Sequence, residues 1–462
     1  MLFNSTVFLF AFLPITYFVF WSLRRKNARY GWLTLSGYVF YGYWKPSYCY
    51  LMAFATLVSY LAGLGFLRWS ENQRARKILL IVPIAVELGL LGYFKYADFS
   101  VQTLNRILRW QDLATLPLPH VLLPIGISFY IFHTITYIVD CYLEVIKPTR
   151  NILEFSCYVS LFSQLVAGPI VRFRELEKDL EQIDRSSRRE FLDRGWSFFT
   201  IGFIQKVVIA DMIAAIIDPA LKDVWVLSSL STWMCMLGYT YQIYFDFAGY
   251  SNMAVGLGYL FGLHIPQNFN SPYRAVNPAD FWRRWHMSLS RCFRDYVYLP
   301  MVGRRPPQAR IYLATLATMT LCGLWHGANW TFVFWGAYHG LLLVFYTRFA
   351  SLWDRCYVWL QRAATFLLVL MGLVLFRAPD FGTARAVYAR LLIPHDGAVL
   401  IGAGALALML ALSAAIAHFG SNTFEMSHEW RPLATAGLGL LFVLSLLLMY
   451  GAKSSPFLYF QF

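Results

Sequence analysis

Two histidines stand out by their neighbours. His326 lies between a tryptophan and a glycine in LCGLWHGANW (residues 321–330), within an apolar part of the chain. An imidazole takes up and releases a proton near neutrality, and an ionisable side chain at membrane depth is by default a functional-site hypothesis. The alternative is a buried histidine that ties two helices together, with Asn329 one turn away as a hydrogen-bonding group. His286 lies in PADFWRRWHMS (residues 278–288), followed by Arg291, Arg294 and Asp295. Basic and aromatic residues interleave there: guanidinium groups suit phosphate, and indoles can stack on a planar base. The alternative is the aromatic and basic belt that membrane proteins place at the interface.

The other titratable groups read as structural. His120, His395, His418 and His428 fall in loops or near the ends of apolar runs, His264 falls in a loop, and His133 and His339 are expected as core histidines. Asp140 and Asp246 lie in apolar surroundings, where each is expected to partner an Arg or Tyr of a neighbouring helix. The chain has no P-loop, no dinucleotide-binding glycine motif, no HExxH and no GxSxG elbow. Its seven cysteines include no CxxC pair, so neither a disulfide framework nor a zinc site is expected, and no metal.

The elements that must position these residues are membrane helices. Of 462 residues 58% are hydrophobic and only 14% charged, against about 25% charged in a soluble domain. The mean hydropathy of +0.50 points the same way. The net charge of +14 does not imply a nucleic-acid partner, because most basic residues sit in short clusters between apolar runs, as at Arg24, Arg25, Lys26 and Arg29. Cytoplasmic loops have that pattern. The first apolar run has no basic residue ahead of it and is expected as a retained span that enters from outside.

Apolar runs cover roughly 3–22, 78–96, 118–141, 195–217, 226–250, 328–347, 358–376, 396–418 and 433–450, with shorter pieces between them. The pattern predicts an all-α, polytopic integral membrane protein of ten to twelve helices, forming one domain over residues 1–462. Residues 152–171 carry positive charge at both ends and finish in Ala167-Gly168-Pro169, which predicts a re-entrant or internally broken segment. From Arg172 to Arg194 the chain is charged at 14 of 23 positions, and Leu176, Leu180 and Ile183 recur at helical spacing. That predicts an amphipathic helix along the membrane surface.

At these residues the sequence resembles the membrane-bound O-acyltransferase (MBOAT) superfamily, and within it the bacterial alginate O-acetyltransferase branch. The resemblance runs through LPIGISFYIFHTITYIVDCY, FSQLVAGPIVRF, YQIYFDFAGYSNMAVGLGYLFGLHIPQNFNSPY, FWRRWHMSLSRCFRDYVYLPM and LCGLWHGANWTFVFWGAYHG, in order, over roughly residues 1–345. The chain departs from that branch at Ser163, at Ser290–Arg294 and at Met301–Gly303, and beyond about residue 350 it has little motif content.

The resemblance implies broken or re-entrant segments around a central tunnel. It also implies a donor on the cytosolic side whose acyl group passes to a hydroxyl. The family's catalytic histidine falls on His326. Its second motif residue, histidine in the bacterial branch and often asparagine in eukaryotic relatives, falls on His286, which would position the donor or polarise its carbonyl. The implied donor is acetyl-CoA, with Arg283, Arg284 and Arg294 as candidates for its phosphates. The implied acceptor is an exopolysaccharide such as alginate or another cell-surface glycan, reached directly or through an extracytoplasmic O-acetyltransferase partner. The expected location is the bacterial inner membrane, among membrane lipids. A different class, a transporter or channel-like subunit of an exopolysaccharide export complex without catalysis, also suits buried histidines and broken helices.

Overall fold

A computed structural model describes residues 1–451, 457 and 458, apart from 167 and 190. Its elements are helices: α1 (Phe8–Ser22), α2 (Lys26–Gly42), α3 (Cys49–Arg68), α4 (Gln73–Trp110), α5 (Ile127–Tyr142), α6 (Ile152–Ser160), α7 (Phe173–Glu181), α8 (Leu192–Leu221) and α9 (Ser229–Leu260). They continue with α10 (Pro278–Arg284), α11 (Met287–Phe293), α12 (Gln308–His326), α13 (Trp330–Trp353), α14 (Val358–Arg377), α15 (Phe381–Leu392), α16 (Ala403–Phe419) and α17 (Pro432–Gly451). Among the described residues the one β feature is an isolated bridge between Leu227 and Ala398. Among the described residues five helices, α3, α4, α8, α14 and α17, are long and apolar enough to cross a membrane. Short helices add to the ten to twelve expected: α6 and α7 form where the sequence marks a broken segment and an amphipathic helix, and α10, α11 and α15 form in stretches that hydropathy alone leaves as loops.

The chain divides into two compact units, one of Met1–Trp196 with Ala254–Pro266, the other of Ser197–Met253 with Gln267–Phe462. In the first unit, Phe8, Phe12, Phe40 and Phe162 form a buried aromatic cluster, with Phe12 edge-on to Phe162 at 5.2 Å. The apolar run 118–141 becomes helix only from Ile127. Pro117, Pro119 and Pro124 lack amide donors, and Asn105 bonds Leu116 through both its amide oxygen and its amide nitrogen (2.8 and 2.9 Å).

The segment 152–171 breaks earlier than its glycine and proline suggest. Helix α6 ends at Ser160 because Leu161 leaves the helical region (ψ 109°), and the chain then turns; Ala167 lies outside the described residues. Non-helical backbone at depth needs internal partners. Gln164 Nε2 donates to Tyr158 O (2.8 Å), and Tyr158 Oη lies 3.0 Å from Val171 O. Helix α7 is shorter than the charged stretch that carries it. Its Leu176 and Leu180, with Ile183 beyond its end, are fully buried in protein rather than laid on a membrane surface. Asp140 pairs with Arg174 at 3.6 Å.

In the second unit, α8 contains a π-helical stretch, Gln205–Ala210. It sets Lys206 between Asp211 (2.7 Å) and Asp246 of α9 (2.5 Å), so the partner of Asp246 is a lysine, not an Arg or Tyr. Helices α12 and α13 form an antiparallel hairpin that closes at two glycines. A Cβ added to Gly323 would come within 2.9 Å of the Gly336 backbone, so only glycine permits this approach.

Candidate active site

His326 is the last residue of α12. The helix stops because Gly327 is extended (φ −158°, ψ 147°) and Asn329 caps the next helix, accepting a hydrogen bond from Thr331 N (3.2 Å). Asn329 therefore serves the helix break rather than the imidazole. His326 Nδ1 lies 2.7 Å from the carbonyl oxygen of Cys322. A carbonyl can only accept, so Nδ1 carries the proton, and in the neutral ring the lone pair is on Nε2.

The ring is 5% exposed and sits edge-on to Trp325 (5.0 Å), Trp335 (5.0 Å) and Phe376 (5.6 Å). It borders a small cavity, together with Phe247 of α9, Tyr273, Trp285, Trp335 and His339 of α13, and Leu373 of α14. The wall is aromatic and apolar, with Asp246 the one carboxylate among the described lining residues. Such a site excludes water and strengthens any polar contact made inside it.

His286 lies in the turn between α10 and α11 and is fully buried. Its backbone is left-handed (φ 43°, ψ 54°), an uncommon state for any residue but glycine and one that clusters at functional sites. Asn268 holds the turn: its Oδ1 lies 3.1 Å from His286 Nδ1 and accepts from Ser288 N (3.2 Å) and Ser288 Oγ (2.8 Å). The amide donor Ser288 N identifies that atom as oxygen, so His286 Nδ1 also carries its proton. Its Nε2 has no hydrogen-bond partner among the described residues. The ring packs edge-on against Phe247 (4.7 Å), which borders the His326 cavity, and lies 6.3 Å from Trp325. The two histidines, 40 residues apart in sequence, thus meet around the same aromatic side chains.

The three arginines are not among the residues that border the cavity. Arg284 pairs with Asp280 (3.0 Å), and Arg294 pairs with Asp295 (2.7 Å). Arg283 is exposed and bonds only its own helix at Ala279 O (3.3 Å). Sequence reasoning placed His339 in the core, where it is buried, and did not single out Trp335; both border the cavity. Their i, i+4 spacing on α13 and the small neighbours Gly336 and Gly340 were the available signal. No cluster of metal-ligating side chains occurs among the described residues.

Two buried imidazoles thus face the same aromatic side chains in the Gln267–Phe462 unit of a chain whose long apolar helices suit a membrane. The model of MBOAT, the membrane-bound O-acyltransferase family, matches residues 142–376. The chain is 37% identical to the probable alginate O-acetylase AlgI of Pseudomonas putida over the whole of both chains. It is 40% identical to the corresponding Pseudomonas aeruginosa protein, over 84% of this chain and 74% of that one. It is 33% identical to the peptidoglycan O-acetyltransferase of Helicobacter pylori, over 84% of this chain and 79% of that one. The chain belongs to the membrane-bound O-acyltransferase family and is a multi-pass membrane O-acetyltransferase.

Proposed function

We propose that the protein takes an acetyl group from acetyl-CoA on the cytosolic side and passes it to a hydroxyl. The acetyl group serves O-acetylation of an exopolysaccharide such as alginate or another cell-surface glycan, directly or through an extracytoplasmic partner transferase. The observation that carries this reading is the tautomer of His326: Nδ1–H is held by Cys322 O, so Nε2 is the basic nitrogen of a ring that borders the cavity.

In the reaction, Nε2 takes the acceptor's hydroxyl proton as the oxygen attacks the thioester carbonyl. The carbon–sulfur bond breaks, and the thiolate takes the proton from Nε2–H, leaving an ester and the free thiol. General-base help of this kind is worth about 10²–10⁴-fold, and holding both substrates in register supplies much of the rest.

Negative charge develops on the carbonyl oxygen. Trp335 borders the cavity, is 3% exposed, and has an indole N–H without a hydrogen-bond partner among the described residues. We assign it as the donor to that oxygen. A neutral His286 whose Nδ1–H is committed to Asn268 offers a lone pair at Nε2. That suits accepting a hydrogen bond from a substrate better than polarising a carbonyl. Arg283 is assigned to a phosphate of the donor, with Arg284 and Arg294, each in an ion pair with an aspartate, as further candidates.

Purified protein given labelled acetyl-CoA and candidate acceptors tests the reading. Label should pass to an acceptor in wild type and not in His326→Ala. Transport of label without bond formation would favour the carrier class instead.

A further inference from the structure

A second hollow, of about 710 Å³, opens on the surface of the Gln267–Phe462 unit. Arg274, Tyr357, Trp359, Arg362, Phe366 and His418 border it, and among its described lining residues there is no carboxylate. Arg362 is exposed and makes no hydrogen bond or ion pair among the described residues. Arg274 is held in place by His418 O (3.1 Å) and Gly420 O, so its charge is presented on a fixed stem. Trp359 and Tyr357 are 68% and 77% exposed, with ring faces available for stacking. Two uncompensated guanidinium groups beside planar aromatic rings fit a phosphorylated heteroaromatic ligand.

The hollow and the His326 cavity share one wall. Trp359, Arg362, Phe366, Val369, Leu373 and Phe376 follow one another on α14 at spacings of 3, 4, 3, 4 and 3, which puts them on a single helix face. The first three border the hollow, and the last three border the cavity. Arg362 and Phe376 are 14 residues apart, about 21 Å along the helix. Tyr273 stands between the two spaces: it borders the cavity, and its ring lies 5.2 Å from that of Phe366.

The hollow also lies at the basic end of the unit. There Arg348 lies five residues before the end of α13, Asp354 and Arg355 lie between α13 and α14, and Trp353 Nε1 donates to Val276 O just ahead of α10 (2.8 Å). Clustered arginines favour the cytosolic face.

The geometry points to this hollow as the seat of the nucleotide end of the CoA thioester. Arg362 and Arg274 hold phosphates, Trp359 or Tyr357 stacks on the purine, and the arm runs along the α14 stripe past Tyr273 to His326. This rests on the reading of acetyl-CoA as donor.

The test compares acetyl-CoA with acetylpantetheine, which carries the thioester and lacks the nucleotide. Arg362→Ala and Trp359→Ala should each raise KM for acetyl-CoA about tenfold, the worth of one charge-assisted or stacking contact. Both should leave kcat, and every constant for acetylpantetheine, as in wild type. Arg362→Glu should raise KM for acetyl-CoA further. Equal change for both donors, or change for neither, overturns the assignment. So does an Arg362 effect that appears only when nanodiscs contain phosphatidylglycerol and leaves CoA affinity unaltered, because the hollow then holds a lipid headgroup. A wild-type protein that moves acetyl from neither donor refutes the donor reading itself, a result distinct from all of these.

Discussion

The carbonyl of Cys322 accepts a 2.7 Å hydrogen bond from the imidazole of His326, one turn further along the same helix. The helix backbone thereby orients the imidazole. His326→Ala should lower acetyl transfer by at least about 10²-fold, the low end for general-base help, with no loss of membrane insertion. Label transfer in proteoliposomes, normalised to folded protein by size-exclusion profile, checks this. Turnover like that of wild type would end the assignment.

At His286 the strained backbone and the ring can be tested apart. Glycine tolerates the left-handed turn, so His286→Gly removes the ring alone and should lose most activity with little loss of melting temperature. His286→Asn should retain more activity, because an amide oxygen can still accept a hydrogen bond. Asn268→Leu should cost about 1–3 kcal/mol for each buried donor it strands, read as a fall in melting temperature. Equal activity in the Gly and Asn variants would show that hydrogen bonding is not the role of His286.

Trp335→Phe keeps an aromatic ring and deletes the indole N–H. Loss of one donor to a developing oxyanion costs about 10²–10³ in kcat. Steady-state kinetics should show that loss with KM for acetyl-CoA little changed, whereas a purely packing role would leave kcat within a few-fold.

Lys206 pairs with two carboxylates that are themselves buried or nearly so. Lys206→Met leaves both uncompensated and should destabilise the fold by about 3–5 kcal/mol. Adding Asp246→Asn to that variant should recover part of the loss in thermal unfolding, because one stranded charge is gone. No recovery would mean that Asp246 is not the partner that matters.

Arg283→Ala should raise KM for acetyl-CoA and leave kcat near wild type, the pattern of lost uniform binding. Arg284→Ala should do less, since that guanidinium already belongs to Asp280. A reversed order, measured in donor titrations, would show that the ion pair opens to admit the donor.

The sequence made the two histidines legible through their neighbours: tryptophan and glycine around His326, alternating arginine and tryptophan ahead of His286. It also signalled a break after residue 152, because charge flanked both ends. The far wall of the cavity was not legible. Val369, Leu373 and Phe376 form an apolar stripe on an apolar helix, and in a membrane protein such a stripe has the same pattern whether it faces lipid, core or substrate. The helical face that joins those residues to Arg362 emerges only when the spacing is read against the two hollows. Lys206 stayed hidden for a different reason: a lone lysine in a hydrophobic run looks like an interfacial residue until its two carboxylates, one of them 40 residues away, fold beside it.

The turn at residue 286 limits which substitutions mutation can offer there. Its φ of 43° disfavours branched and bulky side chains and favours glycine, asparagine, aspartate and histidine. Histidine and asparagine, the pair that the family resemblance implies for this position, are both on that short roster, and both carry a polar group able to accept a hydrogen bond. Drift at this site is therefore filtered by chain geometry before any substrate is bound. Imidazole can be traded for amide here in a single exchange that the backbone tolerates, whereas His326, at an ordinary helical end, meets no such backbone constraint.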